Sequence, residues 1–299
     1  MKLNAYAKIN LILNVLGTRP DGYHEVEMLM QAISLCDVVT VEAAPSHVLC
    51  PGDFEYGEGD LAWKAALLMA QTFRPELVKG AGEPGIEGIR IDIEKRIPAG
   101  AGLAGGSADA AAVMAGLAGM WGPEAAPGPS SIDDAPGRRK APGAHAASAS
   151  AFGALRPLAA SLGSDVPFCL AAQLGRPAAI ATGTGTTLEF VEPLDCGVTL
   201  YFSERTIPNK TRAVYAELAD ADCRPRYDIR AFLTARSLNE KRALAGNHLQ
   251  APAERLMKRF GIEPPAAAKG TGAAAPLLCG AGPTYFSLGK TGPYRTVTR

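Results

Sequence analysis

The sequence predicts an α+β fold with two lobes. Strands lead the chain, helices and strands then mix, and its 299 residues exceed the usual size of a single domain. Hydrophobic residues make up 47% of the chain, which is enough to bury a sizeable core. We expect an N-terminal α/β lobe over residues 1–175 and a C-terminal lobe over residues 176–299.

The first predicted element is a strand over residues 3–15. Apolar side chains alternate there with polar ones, which predicts a half-buried strand. The polar face carries Asn4, Tyr6, Lys8, Asn10 and Asn14. A Pro20-Asp21-Gly22 turn leads into a second strand over residues 26–35, as in a hairpin, and residues 37–43 predict a third strand.

Helices and a further strand follow. Residues 61–73 suit a helix, and residues 89–94 alternate as a strand. A glycine-rich loop over residues 99–106 then leads into an alanine-rich helix over residues 107–121. Gly122-Pro123 ends that helix, because neither residue favours its continuation.

Residues 122–150 form a low-complexity insertion in the N-terminal lobe. Ala, Gly, Pro or Ser occupy 21 of these 29 positions. Such a segment buries too little apolar surface to offset the entropy lost on ordering, so a mobile surface insertion is predicted. Much further on, residues 277–288 predict a last strand.

Charge and cysteine usage exclude several classes of function. Thirty basic and thirty acidic residues leave no net charge to attract nucleic acid or a membrane surface. The six cysteines lack CxxC pairs, which indicates reduced thiols, and the four dispersed histidines argue against a metal centre. No targeting or membrane-spanning segment is read in the sequence, so a cytoplasmic protein is expected, as a monomer or weak homodimer.

The glycine-rich loop is the most informative stretch. Its glycines let backbone N–H groups approach a ligand closely, and the helix after it directs a positive dipole end at the same place. The predicted phosphate site consists of Pro98, Ala99, Gly100, Ala101, Gly102, Leu103, Ala104, Gly105, Gly106, Ser107 and Ala108. The alternative is a tight turn that merely packs against a sheet.

Two other nucleotide motifs are only partly matched. Gly100-x-Gly102-x-x-Gly105 fits the dinucleotide fingerprint, but no acidic residue closes a strand about 20 residues later. Gly289-Lys290-Thr291 resembles the end of a Walker A motif, but Thr284 stands where its leading glycine is required. Neither a Rossmann site nor a Walker site is therefore predicted.

Five motifs together resemble the GHMP kinase superfamily, over nearly the whole chain except the insertion. The motifs are Ala7-Lys8-Ile9-Asn10-Leu11, Asp21-Gly22-Tyr23-His24, the glycine-rich loop, Gly163-Ser164-Asp165-Val166-Pro167-Phe168 and Gly280-Ala281-Gly282-Pro283-Thr284. The resemblance implies an N-terminal ATP-binding lobe and a ferredoxin-like C-terminal lobe. One departure is Ala104, which stands where many members carry glycine.

The resemblance implies a catalytic pair. Lys8 would stabilise charge on the transferred phosphoryl group, and Asp165 would take the proton of the substrate hydroxyl. Without the resemblance, Lys8 would be interpreted as a solvated strand lysine. Asp165, which follows Gly163 and precedes Val166-Pro167, would be interpreted as a helix N-cap.

The resemblance also implies a site for a cytosine base. Tyr23 would stack on the base, while His24 and Asn10 would hydrogen-bond the substrate. The alternative is an ordinary turn aromatic beside a surface imidazole. A second stacking aromatic is expected from the other lobe, with Tyr201 and Phe202 as candidates.

The implied activity is that of a small-molecule kinase. ATP, with Mg²⁺ bound to it, would phosphorylate the 2-hydroxyl of a cytidine-diphosphate-linked methylerythritol on the non-mevalonate route to isoprenoid precursors. The alternatives are a kinase of another alcohol such as mevalonate or homoserine, a non-catalytic nucleotide-binding relative, and a Rossmann oxidoreductase.

Overall fold

The computed structural model describes residues 1–44, 48–49, 60–79, 85–121, 144–205, 207–218, 223–265 and 275–298. The first 22 residues of the predicted insertion, 122–143, lie outside this set. In the described part of the chain, no helix is both long enough and apolar enough to cross a bilayer.

The chain folds into two compact units, each built from separate stretches of sequence. Unit 1 comprises residues 1–7, 36–97 and 105–176, and unit 2 comprises residues 8–35, 98–104 and 177–299. The stretches of the two units alternate along the sequence. The division into lobes of residues 1–175 and 176–299 remains a prediction.

Two long strands contribute residues to both units. They are β1 (Lys2–Thr18) and β2 (His24–Ala43). The second and third predicted strands are thus a single strand. The predicted separation was wrong because Asp37 interrupts the apolar sequence pattern but does not end the strand. Its side chain is buried and accepts hydrogen bonds from the amides of Arg96 and Ile97.

Unit 1 places helices beside its share of the sheet. Its remaining elements are β3 (Val48–Leu49), α1 (Leu61–Phe73), a 3₁₀ turn (Pro75–Leu77), β4 (Val78–Lys79), β5 (Gly85–Ile86), β6 (Ile89–Glu94), α2 (Gly105–Trp121), α3 (Ala144–Leu162) and α4 (Val166–Gln173). Strand β6 runs antiparallel to β2, and α2 packs against α1 and α4. Helix α2 is buried continuously from Ala108 to Ala118, which is typical of the central helix in a core.

Unit 2 combines its share of that sheet with a separate antiparallel sheet. Its remaining elements are β7 (Ala178–Gly183), β8 (Thr187–Phe190), β9 (Gly197–Tyr201), α5 (Lys210–Ala216), α6 (Ile229–Thr234), α7 (Leu238–Leu244), β10 (Gly246–Asn247), α8 (Gln250–Arg259), β11 (Leu277–Leu278), β12 (Tyr285–Gly289) and β13 (Tyr294–Arg295). The separate sheet has the order β11-β12-β9-β13.

The remaining predictions on single elements have mixed outcomes. The helix over residues 61–73 and the strand over residues 89–94 are confirmed. The last predicted strand is interrupted, because residues 279–284 form a turn between β11 and β12. The end of the predicted insertion is helical, since α3 begins at Ala144.

Candidate functional site

Lys8 and Asn10 lie side by side on β1 and are both buried. Their side chains are only 4% and 1% exposed, and the Lys8 Nζ donates a hydrogen bond to Asn10 Oδ1 at 2.8 Å. Asn10 in turn contacts the sulfur of Met28 through its Nδ2, at 3.3 Å. The interpretation of Lys8 as a solvated lysine is therefore wrong, because Asn10 and the segment at Gly280 lie beside its Nζ. Burying an ammonium group costs free energy unless the group has polar partners, so the burial of Lys8 indicates a functional role.

The backbone of Lys8 joins β1 to the glycine-rich loop. Its amide donates to the carbonyl of Leu103 at 3.0 Å, within unit 2. Along this part of the loop, residues 98–100 are exposed, whereas Ala101 and Leu103 are buried. The loop is thus held in place at Leu103, whereas its first residues, 98–100, are accessible to a ligand.

Glycine is required at position 102. Its φ of +83° is unfavourable for other residues, and a Cβ added there would lie 2.3 Å from the carbonyl oxygen of Cys279 and 2.8 Å from that of Gly282. The glycine-rich loop and the C-terminal glycine motif therefore pack backbone against backbone. Ala104, which replaces a glycine common in the superfamily, adopts a φ of +60° and carries the strain of that conformation.

Asn247 holds the C-terminal glycine motif in place. This side chain on β10 donates to the carbonyls of Leu278 at 2.8 Å and Gly280 at 2.7 Å. A Cβ at Gly280 would lie 3.8 Å from Lys8 Nζ, so this motif borders the lysine directly. The sequence motif alone did not indicate that contact.

Lys210, at the start of α5, is a second lysine in the same part of unit 2. Its Nζ donates to the carbonyl of Gly100 at 2.6 Å and also to the carbonyl of Gly282. Burial lowers the pKa of Lys210 to about 8, and the nearby Lys8 ammonium adds to that effect. The sequence carries no signal for this residue, because a lone lysine after a strand is usually a surface residue.

In unit 1, the first turn of α2 presents the rest of the predicted phosphate site. Gly106 is exposed, Ser107 is half-buried and Ala108 is fully buried. A Cβ at Gly106 would meet only a Leu61 methyl group, at 3.9 Å. The amides that open this 17-residue helix are thus accessible to an anion.

A buried charge cluster lies at the start of the same helix. Lys95 Nζ bridges Asp37 Oδ2 and Asp109 Oδ2, the latter at 2.5 Å. Burial raises the pKa of Asp109 to about 7; Lys95 opposes that shift, and the Asp37 carboxylate adds to it. One lysine therefore contacts two carboxylates, and the raised pKa leaves Asp109 only about half ionised near neutral pH.

Asp165 occupies the N-cap position of α4 but does not cap it. Its backbone is helical, with φ −84° and ψ −17°, and its side chain makes no capping hydrogen bond. The helix-cap interpretation of this carboxylate is therefore wrong. An N-cap side chain normally requires an extended backbone in order to reach the second or third amide of the helix.

Tyr23 and His24 lie where the turn meets β2. Tyr23 is 63% exposed, and its amide donates to Asp21 Oδ1 at 3.1 Å. The His24 ring contacts Tyr215 on α5, with ring centroids 4.6 Å apart and planes tilted by 34°. Tyr215 was not predicted from the sequence. Of the two candidates that were, Tyr201 instead shares a hydrogen bond with Ser287.

The predicted site residues thus fall into two groups. Unit 2 contains Lys8, Asn10, Tyr23, His24 and residues 98–104, whereas unit 1 contains Asp165 and residues 105–108. Among the described residues, no three His, Cys, Asp or Glu side chains are grouped so that they could hold a metal ion.

The fold and this site define a member of the GHMP kinases. The model of the GHMP kinase N-terminal domain matches residues 60–128, which include α1, β6, the glycine-rich loop and α2. A crystal structure of mevalonate kinase shares the fold at 11% identity, with a TM-score of 0.54 over 97% of this chain and 91% of that one. The Rossmann alternative is wrong, because β7, the next described strand after α2, pairs antiparallel with β2 and β8 and does not form a parallel pair with β6.

Closer relatives define the family. A 4-diphosphocytidyl-2-C-methyl-D-erythritol kinase of Synechococcus sp. (strain JA-3-3Ab) is 34% identical, over 96% of this chain and 84% of its own length. The kinase of the same name from Alkaliphilus metalliredigens (strain QYMF) is 35% identical, over 97% and 88%. A crystal structure of 4-(cytidine 5'-diphospho)-2C-methyl-D-erythritol kinase, 33% identical, matches with a TM-score of 0.70 over 97% of this chain and 91% of that one. This chain therefore belongs to the 4-diphosphocytidyl-2-C-methyl-D-erythritol kinase family.

Proposed function

We propose that the protein is an ATP-dependent kinase that phosphorylates the 2-hydroxyl of 4-diphosphocytidyl-2-C-methyl-D-erythritol. The observation that carries the proposal is the near full-length identity to kinases of that name. Lys8, held by Asn10 beside two glycine motifs, supports it, because phosphoryl transfer requires chiefly positioning and charge neutralisation.

The proposed reaction is a direct phosphoryl transfer. The 2-hydroxyl oxygen forms a bond to the terminal phosphorus of ATP, the bond from that phosphorus to the bridging oxygen breaks, and ADP leaves with the bonding electrons. Asp165 accepts the hydroxyl proton, and the Lys8 ammonium stabilises charge on the transferred group. The side chain of Asp165 has no capping role in α4, which is consistent with a catalytic one.

The amides of residues 98–108 are proposed to hold the phosphates of ATP. The exposed backbone at residues 98–100 and the open first turn of α2 fit that role. Mg²⁺ would be carried by the ATP phosphates and, when bound, would neutralise part of their charge. We assign it no protein ligands.

The cytosine ring is proposed to bind beside Tyr23 and His24. Tyr23 is exposed and able to stack on a base, and His24 has a hydrogen-bonding imidazole edge. Tyr215 is the second aromatic that such a site requires, because its ring already contacts that of His24. We expect the enzyme to act in the cytoplasm, as a monomer or weak homodimer.

The test is a kinase assay with competing alcohols. The purified protein is given ATP, Mg²⁺ and, in turn, 4-diphosphocytidyl-2-C-methyl-D-erythritol, mevalonate or homoserine. ADP release is measured, and the phosphorylated carbon is identified by ³¹P and ¹³C NMR. We expect turnover with the cytidine substrate alone and a new phosphate ester at its 2-hydroxyl.

Two outcomes would contradict the proposal. A higher kcat/KM for mevalonate or homoserine would make the protein a kinase of another alcohol. Binding of ATP without turnover of any of the three would make it a non-catalytic nucleotide-binding relative.

A further inference from the structure

A buried cluster of three charged side chains connects the two ends of the glycine-rich loop. Lys95 lies just before the loop, Asp109 lies four residues after α2 begins, and Asp37 comes from β2. Lys95 Nζ donates to both carboxylates. All three residues belong to unit 1, whereas residues 98–104 of the loop belong to unit 2.

Asp37 fixes the segment of chain that enters the loop. Its carboxylate is fully buried and accepts hydrogen bonds from the backbone amides of Arg96 at 2.5 Å and Ile97 at 2.8 Å. It also accepts a hydrogen bond from the Lys95 ammonium group. Hydrogen bonds to a charged acceptor are stronger than those between neutral groups. Residues 95–97 are therefore held against β2 at each of their three positions.

Asp109 fixes the segment of chain that leaves the loop. Its Oδ2 accepts a hydrogen bond from Lys95 Nζ at 2.5 Å. The start of α2 also lies against the entering segment, since a Cβ added at Gly105 would lie 3.1 Å from Ile97 Cγ2 and 3.6 Å from Lys95 Nζ. The residues on either side of the loop, 95–97 and 105–109, are thus joined directly through Lys95.

Folding stability alone does not account for a carboxyl group at position 109. Asp109 is 4% exposed, and among the residues that the structure describes its second oxygen, Oδ1, has no hydrogen-bond partner. A buried polar group with an unsatisfied atom costs free energy, and an apolar side chain of similar size would avoid that cost. The carboxyl group is therefore better explained by a role in function.

We propose that Lys95, Asp37 and Asp109 are positioning residues, which hold the two ends of the glycine-rich loop in the arrangement that binds phosphate. The proposal rests on the proposed function in one respect, namely that the amides of residues 98–108 bind the phosphates of ATP. A loop whose ends are already fixed loses less entropy when a ligand orders it. The cluster thus raises the affinity for phosphate without touching the ligand.

The experiment measures binding of inorganic tripolyphosphate to the full chain by calorimetry at pH 7. The variant Asp109→Ala removes the bond to Lys95 and places a strong helix former in α2. It leaves no unpaired charge, because Lys95 still pairs with Asp37. We expect the dissociation constant to rise about tenfold, the scale of one charge-assisted hydrogen bond. The melting temperature should stay close to that of the wild type.

Two further variants identify the bond that is responsible. Asp109→Asn keeps an oxygen that accepts a hydrogen bond from Lys95, so it should recover most of the lost affinity. Asp92→Ala is the matched control, since Asp92 is also a carboxylate of unit 1 that pairs with a basic side chain, Arg90, but it is partly exposed and lies within β6. It should bind tripolyphosphate with wild-type affinity.

A purely structural role of the cluster predicts different results. Asp109→Ala would then melt at a lower temperature and bind tripolyphosphate with wild-type affinity, which would overturn the proposal. Equal losses of affinity in Asp109→Ala and Asp109→Asn would also overturn it, because the bond to Lys95 would not be the cause. An equal loss in Asp92→Ala would do the same.

A measurement on the wild-type protein covers the case in which Asp109→Ala does not fold. If the cluster connects the ends of the loop, tripolyphosphate should slow hydrogen exchange at the amides of Arg96 and Ile97, which Asp37 binds. The exchange is followed by NMR, with the amide of Ile91 in β6 as the reference. Exchange at Arg96 and Ile97 that does not slow relative to Ile91 would overturn the proposal.

Kinetics separate this inference from the proposed function. Asp109→Ala should raise KM for ATP and leave KM for the cytidine substrate unchanged, a split that a general loss of structure would not produce. The binding and exchange measurements do not require turnover. If the cytidine substrate is not phosphorylated but tripolyphosphate binding still depends on Asp109, the proposed function fails and this inference stands.

Discussion

The rings of His24 and Tyr215 lie in contact in unit 2, with centroids 4.6 Å apart and planes tilted by 34°. His24 begins β2, and Tyr215 lies on α5, far along the chain. The neighbouring Tyr23 is largely exposed. The contact between His24 and Tyr215, together with the adjacent Tyr23, therefore gives this part of unit 2 three rings that are able to recognise a base.

Replacing Tyr215 by Leu should weaken recognition of the cytidine substrate. An aromatic contact contributes about 0.5–1.5 kcal/mol beyond area burial, so we expect KM for this substrate to rise about two- to tenfold while KM for ATP changes little. Steady-state kinetics with each substrate varied in turn would show the difference. Phe260→Leu is the control, since Phe260 is also an exposed aromatic of unit 2 and is not a candidate for the base site. Equal effects in the two variants would remove Tyr215 from the site.

Asp165→Ala should distinguish a catalytic role of this side chain from a capping role. Loss of a general base lowers kcat by about 10²-fold or more, whereas the side chain makes no capping bond whose loss would destabilise α4. The control is Asp228→Ala, because Asp228 accepts a hydrogen bond from the Ala231 amide at the start of α6. Urea unfolding should show a loss of about 1 kcal/mol for Asp228→Ala, the usual cost of a lost N-cap. Unchanged kcat in Asp165→Ala would exclude the catalytic role.

Gly102→Ala should cost far more stability than Gly22→Ala. Both glycines have φ near +82°, so an alanine pays about 1–2 kcal/mol of backbone strain at either position. At Gly22 the added Cβ would meet nothing within 4 Å, whereas at Gly102 it would meet the Cys279 carbonyl at 2.3 Å. Urea denaturation of both variants would isolate the cost of the clash. Equal free energies of unfolding would show that the two glycine motifs do not pack as described.

Asp109→Asn should change how stability depends on pH. The folded pKa of Asp109, about 7, lies above its unfolded value of 3.8, so the folded state retains a proton that the unfolded state has released. Wild-type stability must therefore fall as pH rises between these two values, and this contribution disappears in Asp109→Asn. Relative to wild type, the variant should gain stability between pH 5 and pH 8.

Chemical denaturation across that pH range would measure the trend. Asp92→Asn provides the control, since Asp92 is also a carboxylate of unit 1 but lies partly exposed beside Arg90. A stability difference between wild type and Asp109→Asn that stays constant from pH 5 to pH 8 would contradict the raised pKa.

Local sequence signals determined much of the fold. The helix over residues 61–73 and the strand over residues 89–94 were both correctly predicted, since periodicity and end signals act over a few residues. The same signals failed at Asp37, because its hydrogen bonds come from residues about 60 positions away.

The motifs likewise determined the family and named Lys8, Asn10, Tyr23, His24 and Asp165 as candidates. Only the tertiary structure decided that Lys8 is buried, that Tyr215 contacts His24 and that Lys210 reaches both glycine motifs. The physical reason is the distance along the chain over which each kind of interaction acts. A pattern along the chain reports which residues share a face, whereas burial, charge proximity and backbone contact depend on segments that the fold alone brings together.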